Sequence, residues 1–302
     1  MMELYKKYRP RTFDKVVGNE GTVASLKNML ARKTLPRSIL FHGPSGCGKT
    51  TLARILVREL GCESLDVVEM NSSSFRGIDT VRDICRNMNL APTGPCRVWL
   101  IDECHKWTND AQNAALKMLE DTPSHVYFFL CTTNPEKLIK AIRTRCCEMP
   151  VRLLSYQELE SLAGHVAKKE GIDLSKDTLD SIVASAQGSA RMLLVLLDKI
   201  ANLDEAQRAE AIAQQLEEEN EAIDLCRALI KRAPWKTVAD ILKNIKAEPE
   251  STRRAVLGYA RSVLLSKAET QAYMVLQAFE GHFYDSGDAG LARACYESIM
   301  VE

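Results

Sequence analysis

The segment Gly43-Pro44-Ser45-Gly46-Cys47-Gly48-Lys49-Thr50 constrains the fold of this chain more than any other. It satisfies G-x-x-x-x-G-K-[ST] and lies between an apolar run, Ser38 to His42, and a helical pattern, Thr50 to Leu60. In that pattern Leu52, Ile55, Leu56 and Leu60 share one face, and Gly61 follows as a stop. The glycines let backbone N–H groups turn inward around phosphates, and Lys49 reaches the terminal phosphate oxygens. Thr50 offers a hydroxyl to Mg²⁺ at the helix N-terminus, where the dipole favours anions. Pro44, Ser45 and Cys47 complete the loop and Thr51 continues the first helical turn. A glycine-rich turn with an accidental Lys-Thr is the bland alternative, and the flanking strand and helix patterns oppose it.

A strand feeding such a loop belongs to a parallel sheet with crossover helices. Four further apolar runs, Asp66 to Met70, Val98 to Asp102, Val126 to Cys131 and Cys146 to Val151, predict a five-stranded parallel α/β sheet with helices on both faces. Residues 1–153 therefore read as an α/β nucleotide-binding domain. Strand signals then stop. Residues 154–204 read as a small helical domain broken at Gly171 to Asp173 and Gln187 to Ser189, and residues 205–302 as a second, all-helical domain. In the latter, Glu217 to Glu221 reads as a solvated helix start. Helices are expected over Ala222 to Arg232, Pro234 to Ile245, Glu250 to Ala268, Thr270 to Phe283 and Asp288 to Met300.

Composition excludes some classes. With 46% hydrophobic and 26% charged residues the chain can bury a core, yet it holds no run near the roughly 18 apolar residues that span a bilayer, so no membrane partner is expected. Its ten cysteines are scattered without a Cys-x-x-Cys, which suits free thiols in a reducing compartment. The net charge of zero conceals a basic first half, with 22 Lys and Arg against 16 acids in residues 1–150, and an acidic second half. A basic front suits approach to a polyanion.

Val98-Trp99-Leu100-Ile101 ends in Asp102 and Glu103, and this strand is expected to run beside that of the phosphate loop. Asp102 is then a candidate for the Mg²⁺ shell, and Glu103 for polarising an attacking water. Cys104 and His105 add two ligand types, but a metal site needs further ligands at suitable spacing, so His105 reads as a solvent-edge residue. Asn134, after Cys131-Thr132-Thr133, either faces the γ-phosphate or simply favours a turn before Pro135.

Taken together these residues resemble an AAA+ ATPase of the sliding-clamp loader family. Tyr8-Arg9-Pro10, Thr12-Phe13-Asp14 and Val16-Val17-Gly18 match its adenine-site segment. Asn71 through Arg82 is similar to replication factor C small subunits. Asp110 to Ala114, with Lys117, Leu119-Glu120 and Pro123, resembles both those subunits and the bacterial gamma/tau subunit. Thr144-Arg145-Cys146 stands where the family carries Ser-Arg-Cys, and Gly188-Ser189-Ala190-Arg191 occupies the sensor-2 position.

The resemblance implies a helical lid over 154–204, a collar over 205–302, and ATP and Mg²⁺ as cofactors. It adds Asn134 as sensor 1, Arg191 as sensor 2 in cis, and Arg145 as an arginine finger acting on the adjacent subunit. Tyr8, Arg9, Pro10, Val16 and Val17 would hold the adenine. Arg76, Arg82, Arg86 and Lys106 would meet DNA phosphates without reading bases. Arg76 is also the candidate switch toward Glu103, and Gln112 the buried coupling residue. Ile84, Met88 and Leu90 mark the helix expected at the clamp. Implied partners are the other subunits of a pentamer, the sliding clamp and primer-template DNA. The setting is the cytoplasm, a host cytoplasm for a phage protein or the nucleus for a eukaryotic one. Because the bacterial zinc cysteines and a long tail are absent from the sequence, a phage, archaeal or eukaryotic type is expected. Two competing readings are a Holliday-junction branch-migration motor, which normally ends in a winged-helix domain, and a nucleotide-binding scaffold without turnover, which intact Lys49, Glu103 and Arg145 oppose.

Overall fold

The computed structural model describes residues 3–72, 74–201, 203–204, 207–208, 224–245, 248–267, 269–283 and 286–300. The acidic run Glu217 to Glu221 and the ends of two expected helices, Ala222 and Ala268, lie outside the described residues. The chain divides into two compact units, Met1–Asn202 and Leu203–Glu302.

The first unit is built on strands β1 (Ser38–His42), β2 (Val67–Asn71), β3 (Arg97–Asp102), β4 (Val126–Thr132) and β5 (Cys147–Pro150). They form one sheet in the order β2-β3-β4-β1-β5, with every pairing parallel. Helices α1 (Leu4–Lys7), α2 (Glu20–Ala31), α3 (Lys49–Glu59), α4 (Ile78–Asn87), α5 (Asn109–Glu120) and α6 (Lys140–Arg145) connect and flank it. The five-stranded parallel α/β expectation holds, with one correction. β3 does not lie beside β1, because β4 is inserted between them and pairs with both. Strand ends also shift by a residue or so. Asp66 opens no strand; it sits in a 3-10 turn where its buried carboxylate accepts from the Thr93 and Gly94 N–H groups and from Arg97.

Side-chain alternation along the strands loads both faces of the sheet. Ile39, Phe41, Val98, Leu100, Phe129 and Cys131 pack into one core with Leu52, Ile55 and Leu56 of α3. Leu40, Trp99, Ile101, Phe128 and Leu130 point the other way, against Val81 and Ile84 of α4 and Ala111, Ala115 and Met118 of α5. Each fully buried phenylalanine of β1 and β4 contributes about 1.5–3 kcal/mol of transfer free energy.

Three helices complete this unit: α7 (Tyr156–Glu170), α8 (Lys176–Ser185) and α9 (Ala190–Ile200). Their limits follow from local chemistry. Ser155 and Glu158 form a reciprocal capping box that starts α7, and Gly171 ends it in the left-handed region at φ 69°. Ser175 and Ser189 cap α8 and α9 through their hydroxyls. Leu193, Leu196, Leu197 and Ile200, spaced along one face of α9, are buried.

In the second unit the described residues form α10 (224–230), α11 (Trp235–Asn244), α12 (Pro249–Lys267), α13 (Thr270–Ala278) and α14 (Gly287–Met300). Their core gathers Leu225, Leu229, Val238, Val256, Val275, Phe279 and Leu291. Among the described residues no helix is long and apolar enough to cross a membrane. All ten cysteines are free thiols.

Candidate nucleotide site

Gly43, Gly46 and Gly48 take positive φ values of 149°, 76° and 106° as the chain leaves β1 and enters α3. Two of them are also held by close approach. A Cβ on Gly43 would lie 1.9 Å from the Val151 carbonyl oxygen, and one on Gly46 would lie 2.1 Å from Ser189 Oγ. The loop is thereby pressed between β5 and the start of α9 while its backbone faces a cleft.

That cleft, of about 380 Å³, is lined by loop residues Ser45 to Lys49, by Thr50, Thr51, Asp102 and Glu103, and by Arg191. Tyr8, Arg9, Pro10, Val16 and Val17 also line it, together with Leu154, Leu162 and Leu194. Sequence reasoning missed these three apolar residues: Leu154 lies just before α7, and the amphipathic patterns that carry Leu162 and Leu194 do not say which cavity their apolar faces meet. Tyr8 Oη donates to Glu170 at the end of α7, and burial together with this bond pushes the phenol up to about 12. Asn19, at φ 57°, lines the cleft too, and its side chain exchanges hydrogen bonds with the backbone of Arg152 at 2.8 and 3.1 Å.

Lys49 is only 6% exposed and donates to the Gly43 and Pro44 carbonyls, both at 2.7 Å. Its ammonium is thus held at the loop with backbone carbonyls as partners, ready to exchange them for phosphate oxygens. Thr50 Oγ1, in the first turn of α3, donates to Asp102 Oδ2 at 2.9 Å, although β1, which feeds that helix, is not a neighbour of β3. A hydroxyl and a carboxylate at this distance, beside a glycine cradle, form the hard-oxygen donor set that Mg²⁺ takes alongside phosphates. The residues fit a Mg-nucleotide.

Glu103 follows in the left-handed region at φ 54°, a cost of about 1–3 kcal/mol for a residue with a side chain. This turn swings the chain off the sheet edge into a 3-10 turn, Cys104–Lys106. Glu103 Oε2 accepts from Thr133 Oγ1 at 3.4 Å and lies 3.5 Å from His105 Nε2. His105 is not a solvent-edge residue, since its side chain is 8% exposed and its Nδ1 lies 3.0 Å from Thr132 Oγ1. Burial pushes its imidazole below the ordinary range. The sequence offered no sign of this, because the partner Thr132 is 27 residues away.

Other expected site residues lie outside the cleft lining. Asn134 leaves β4 beside the Asp102 end of β3, with its N–H donating to Thr132 Oγ1 at 3.0 Å. Arg145, the last residue of α6, pairs with Glu120. Arg76 is exposed and not brought to Glu103, whose carboxylate is engaged by His105 and Thr133; the Arg76 carbonyl accepts from the Thr108 N–H at 3.1 Å. Arg82 and Arg86 are exposed on α4 and pair with Asp79 and Asp83, while Lys106 is exposed on the turn after Glu103. Gln112 is buried and bridges the segments after β3 and β4: it donates to the Trp107 and Lys137 carbonyls and accepts from the Ile139 N–H at 2.8 Å. Ile84 and Met88 are core residues, whereas Leu90 is 56% exposed.

Residues 39–154 match the family described as ATPase family associated with various cellular activities (AAA). The chain carries an AAA ATPase domain. Across a longer span it is similar to the DNA polymerase III subunit gamma/tau of Mycobacterium tuberculosis H37Rv, with 34% identity over 66% of this chain and 39% of that one. The tau subunit of Escherichia coli K12 is 32% identical over 76% of this chain and 39% of its own length, and that of Bacillus subtilis 168 is 29% identical over 99% and 58%. The chain thus spans about two fifths to three fifths of the length of these relatives. Among solved structures, the Thermotoga maritima RuvB Holliday junction branch migration motor superposes with a TM-score of 0.61 at 18% identity, over 78% of this chain and 85% of that one. That likeness is one of fold.

Proposed function

We propose that this chain is an ATPase subunit of a DNA sliding-clamp loader, which opens the clamp and places it on primer-template DNA. The observation that carries this reading is the extent of likeness to the tau subunit of Bacillus subtilis, which runs over 99% of the chain and so includes the helical second unit as well as the AAA domain. The relatives named above are bacterial, and they lend no support to a phage, archaeal or eukaryotic origin.

In this reading Lys49 and the loop amides bind the β- and γ-phosphates, Thr50 and Asp102 hold Mg²⁺, and Glu103 orients the attacking water. Bound Mg²⁺ neutralises charge on the phosphate oxygens. Arg191, in the first turn of α9, meets the phosphates from the side of the helical lid, taken as 154–204, and Asn134 senses them from the end of β4. Arg145 serves a neighbouring subunit of the pentamer. Its position outside its own cleft and its exchangeable surface pair with Glu120 support that role. Arg76, Arg82, Arg86 and Lys106 contact DNA phosphates, and their exposure supports it. Gln112 transmits DNA contact to the site, and residues 205–302 form the collar.

A branch-migration motor is disfavoured: the second unit has only helices among the described residues, where a winged-helix domain needs a strand pair. The test is ATP hydrolysis against chain concentration, with and without primed DNA. A rate rising faster than linearly and stimulated by primed ends supports sites completed in trans. Measurable ATP binding with negligible hydrolysis, even with partner subunits supplied, would replace this reading by a scaffold subunit.

A further inference from the structure

We propose that His105 is a positioning residue that ties the Glu103 carboxylate to the segment leaving β4 through Thr132. The inference rests on the reading of Glu103 as the residue that orients water. Four groups form an ordered series: the Asn134 N–H donates to Thr132 Oγ1 at 3.0 Å, Thr132 Oγ1 lies 3.0 Å from His105 Nδ1, and His105 Nε2 lies 3.5 Å from Glu103 Oε2.

Hydrogen placement in this series has one consistent solution for a neutral imidazole. An ionised carboxylate only accepts, so the ring nitrogen facing Glu103 carries the hydrogen. Nδ1 is then the acceptor and takes the Thr132 hydroxyl hydrogen, which leaves the Thr132 lone pairs to the Asn134 N–H. Every donor has an acceptor and every arrow runs the same way, toward Glu103. Burial of His105 favours the neutral ring, and Thr132 is fully buried, so water does not compete for the bonds at Thr132.

The consequence is geometric. Glu103 sits at a left-handed turn, and its Oε2 lies within 3.5 Å of both His105 Nε2 and Thr133 Oγ1. Both partners are anchored in β4 or its exit, through Thr132 in the case of His105. A displacement of Thr132 to Asn134 therefore moves the Glu103 carboxylate without any direct contact between Asn134 and Glu103.

The test compares His105→Ala, His105→Gln and Thr132→Val in the full chain. Backbone amide exchange at Thr133 and Asn134 is measured without nucleotide. Nucleotide affinity is read with a fluorescent ATP analogue, and kcat and KM are measured under conditions where wild type turns over. His105→Ala and Thr132→Val should each speed exchange at Asn134. His105→Ala should lower kcat about 10–100-fold, the scale on which an orienting partner acts, with analogue affinity within twofold of wild type. His105→Gln keeps a donor near the Nε2 position and should recover most of kcat. An unchanged kcat in His105→Ala, a kcat loss that Gln does not rescue, or analogue affinity falling in parallel would each overturn the proposal. Absence of turnover in wild type would instead count against the ATPase reading, and amide exchange would still decide whether the series exists: unchanged exchange in both variants rejects it.

Discussion

Replacing Gln112 by leucine removes the amide that fastens the segment after β3 to the segment after β4. Gln112 is 2% exposed and makes three bonds, to the Trp107 carbonyl at 3.2 Å, to the Lys137 carbonyl at 3.3 Å and from the Ile139 N–H at 2.8 Å. Leucine restores most of the volume but none of the bonds. The Ile139 N–H has a single hydrogen to place, so it bears the larger penalty, whereas each carbonyl retains a second lone pair. With about 1–3 kcal/mol for an unsatisfied buried group, and with two of the three bonds only partly buried, the loss is about 2–4 kcal/mol. Urea unfolding followed by far-ultraviolet circular dichroism measures it as a fall in midpoint at unchanged slope. A loss under about 0.5 kcal/mol would mean that water replaces the amide, and the bridge would then hold nothing together. Gln112→Met, with a flexible apolar chain and the same missing bonds, should behave as leucine does; a much milder effect would trace the loss to leucine's shape instead.

Three further outcomes follow from the site and its supports. Gly46→Ala should weaken nucleotide-analogue binding at least tenfold, and adding Ser189→Ala should restore part of it, because the second change removes the 2.1 Å clash but not the strain at φ 76°. Glu158 is held down to about 2 by the Arg152 guanidinium and the Ser155 N–H; a depressed carboxyl contributes stability above its ordinary value near 4.5 and loses it as pH falls toward 2. Wild type should therefore lose stability over that window relative to Glu158→Gln, as read by thermal melts at stepped pH. Asp66→Asn keeps the shape but weakens the charge-assisted bonds to Thr93, Gly94 and Arg97, so the melting temperature should fall at pH 7 and the difference from wild type should narrow in acid.

Local chemistry was the legible part of this chain. The glycine loop and the apolar face of α3 each depend on residues within about two turns of one another, and the folded chain has them where the pattern puts them; the Ser155 and Ser189 caps are equally local but emerge only in the structure. Sheet order was not legible. Pairing β1 with β3 or with β4 would bury the same alternating residues, so periodicity does not choose between them; the folded chain pairs β1 with β4, and β4 with β3.

His105 shows the same limit at the scale of one side chain. Beside Asp102-Glu103 it is an ordinary polar residue, and on a straight exit from β3 it would point to solvent. The left-handed turn at Glu103 is what folds it inward, onto a threonine of the neighbouring strand. A backbone conformation that costs energy at a single residue thus decides whether the carboxylate at the cleft is free or guided. Glu103→Gly, which adopts that turn without strain, separates the two contributions: stability should hold or rise, while turnover, under the proposed ATPase function, should fall by at least 100-fold with the carboxylate gone. If Glu103→Gly were instead destabilised by more than about 1 kcal/mol, the carboxylate's contacts with Thr133 and His105 would outweigh the strain of the turn. Glu103 would then belong as much to the fold as to the chemistry.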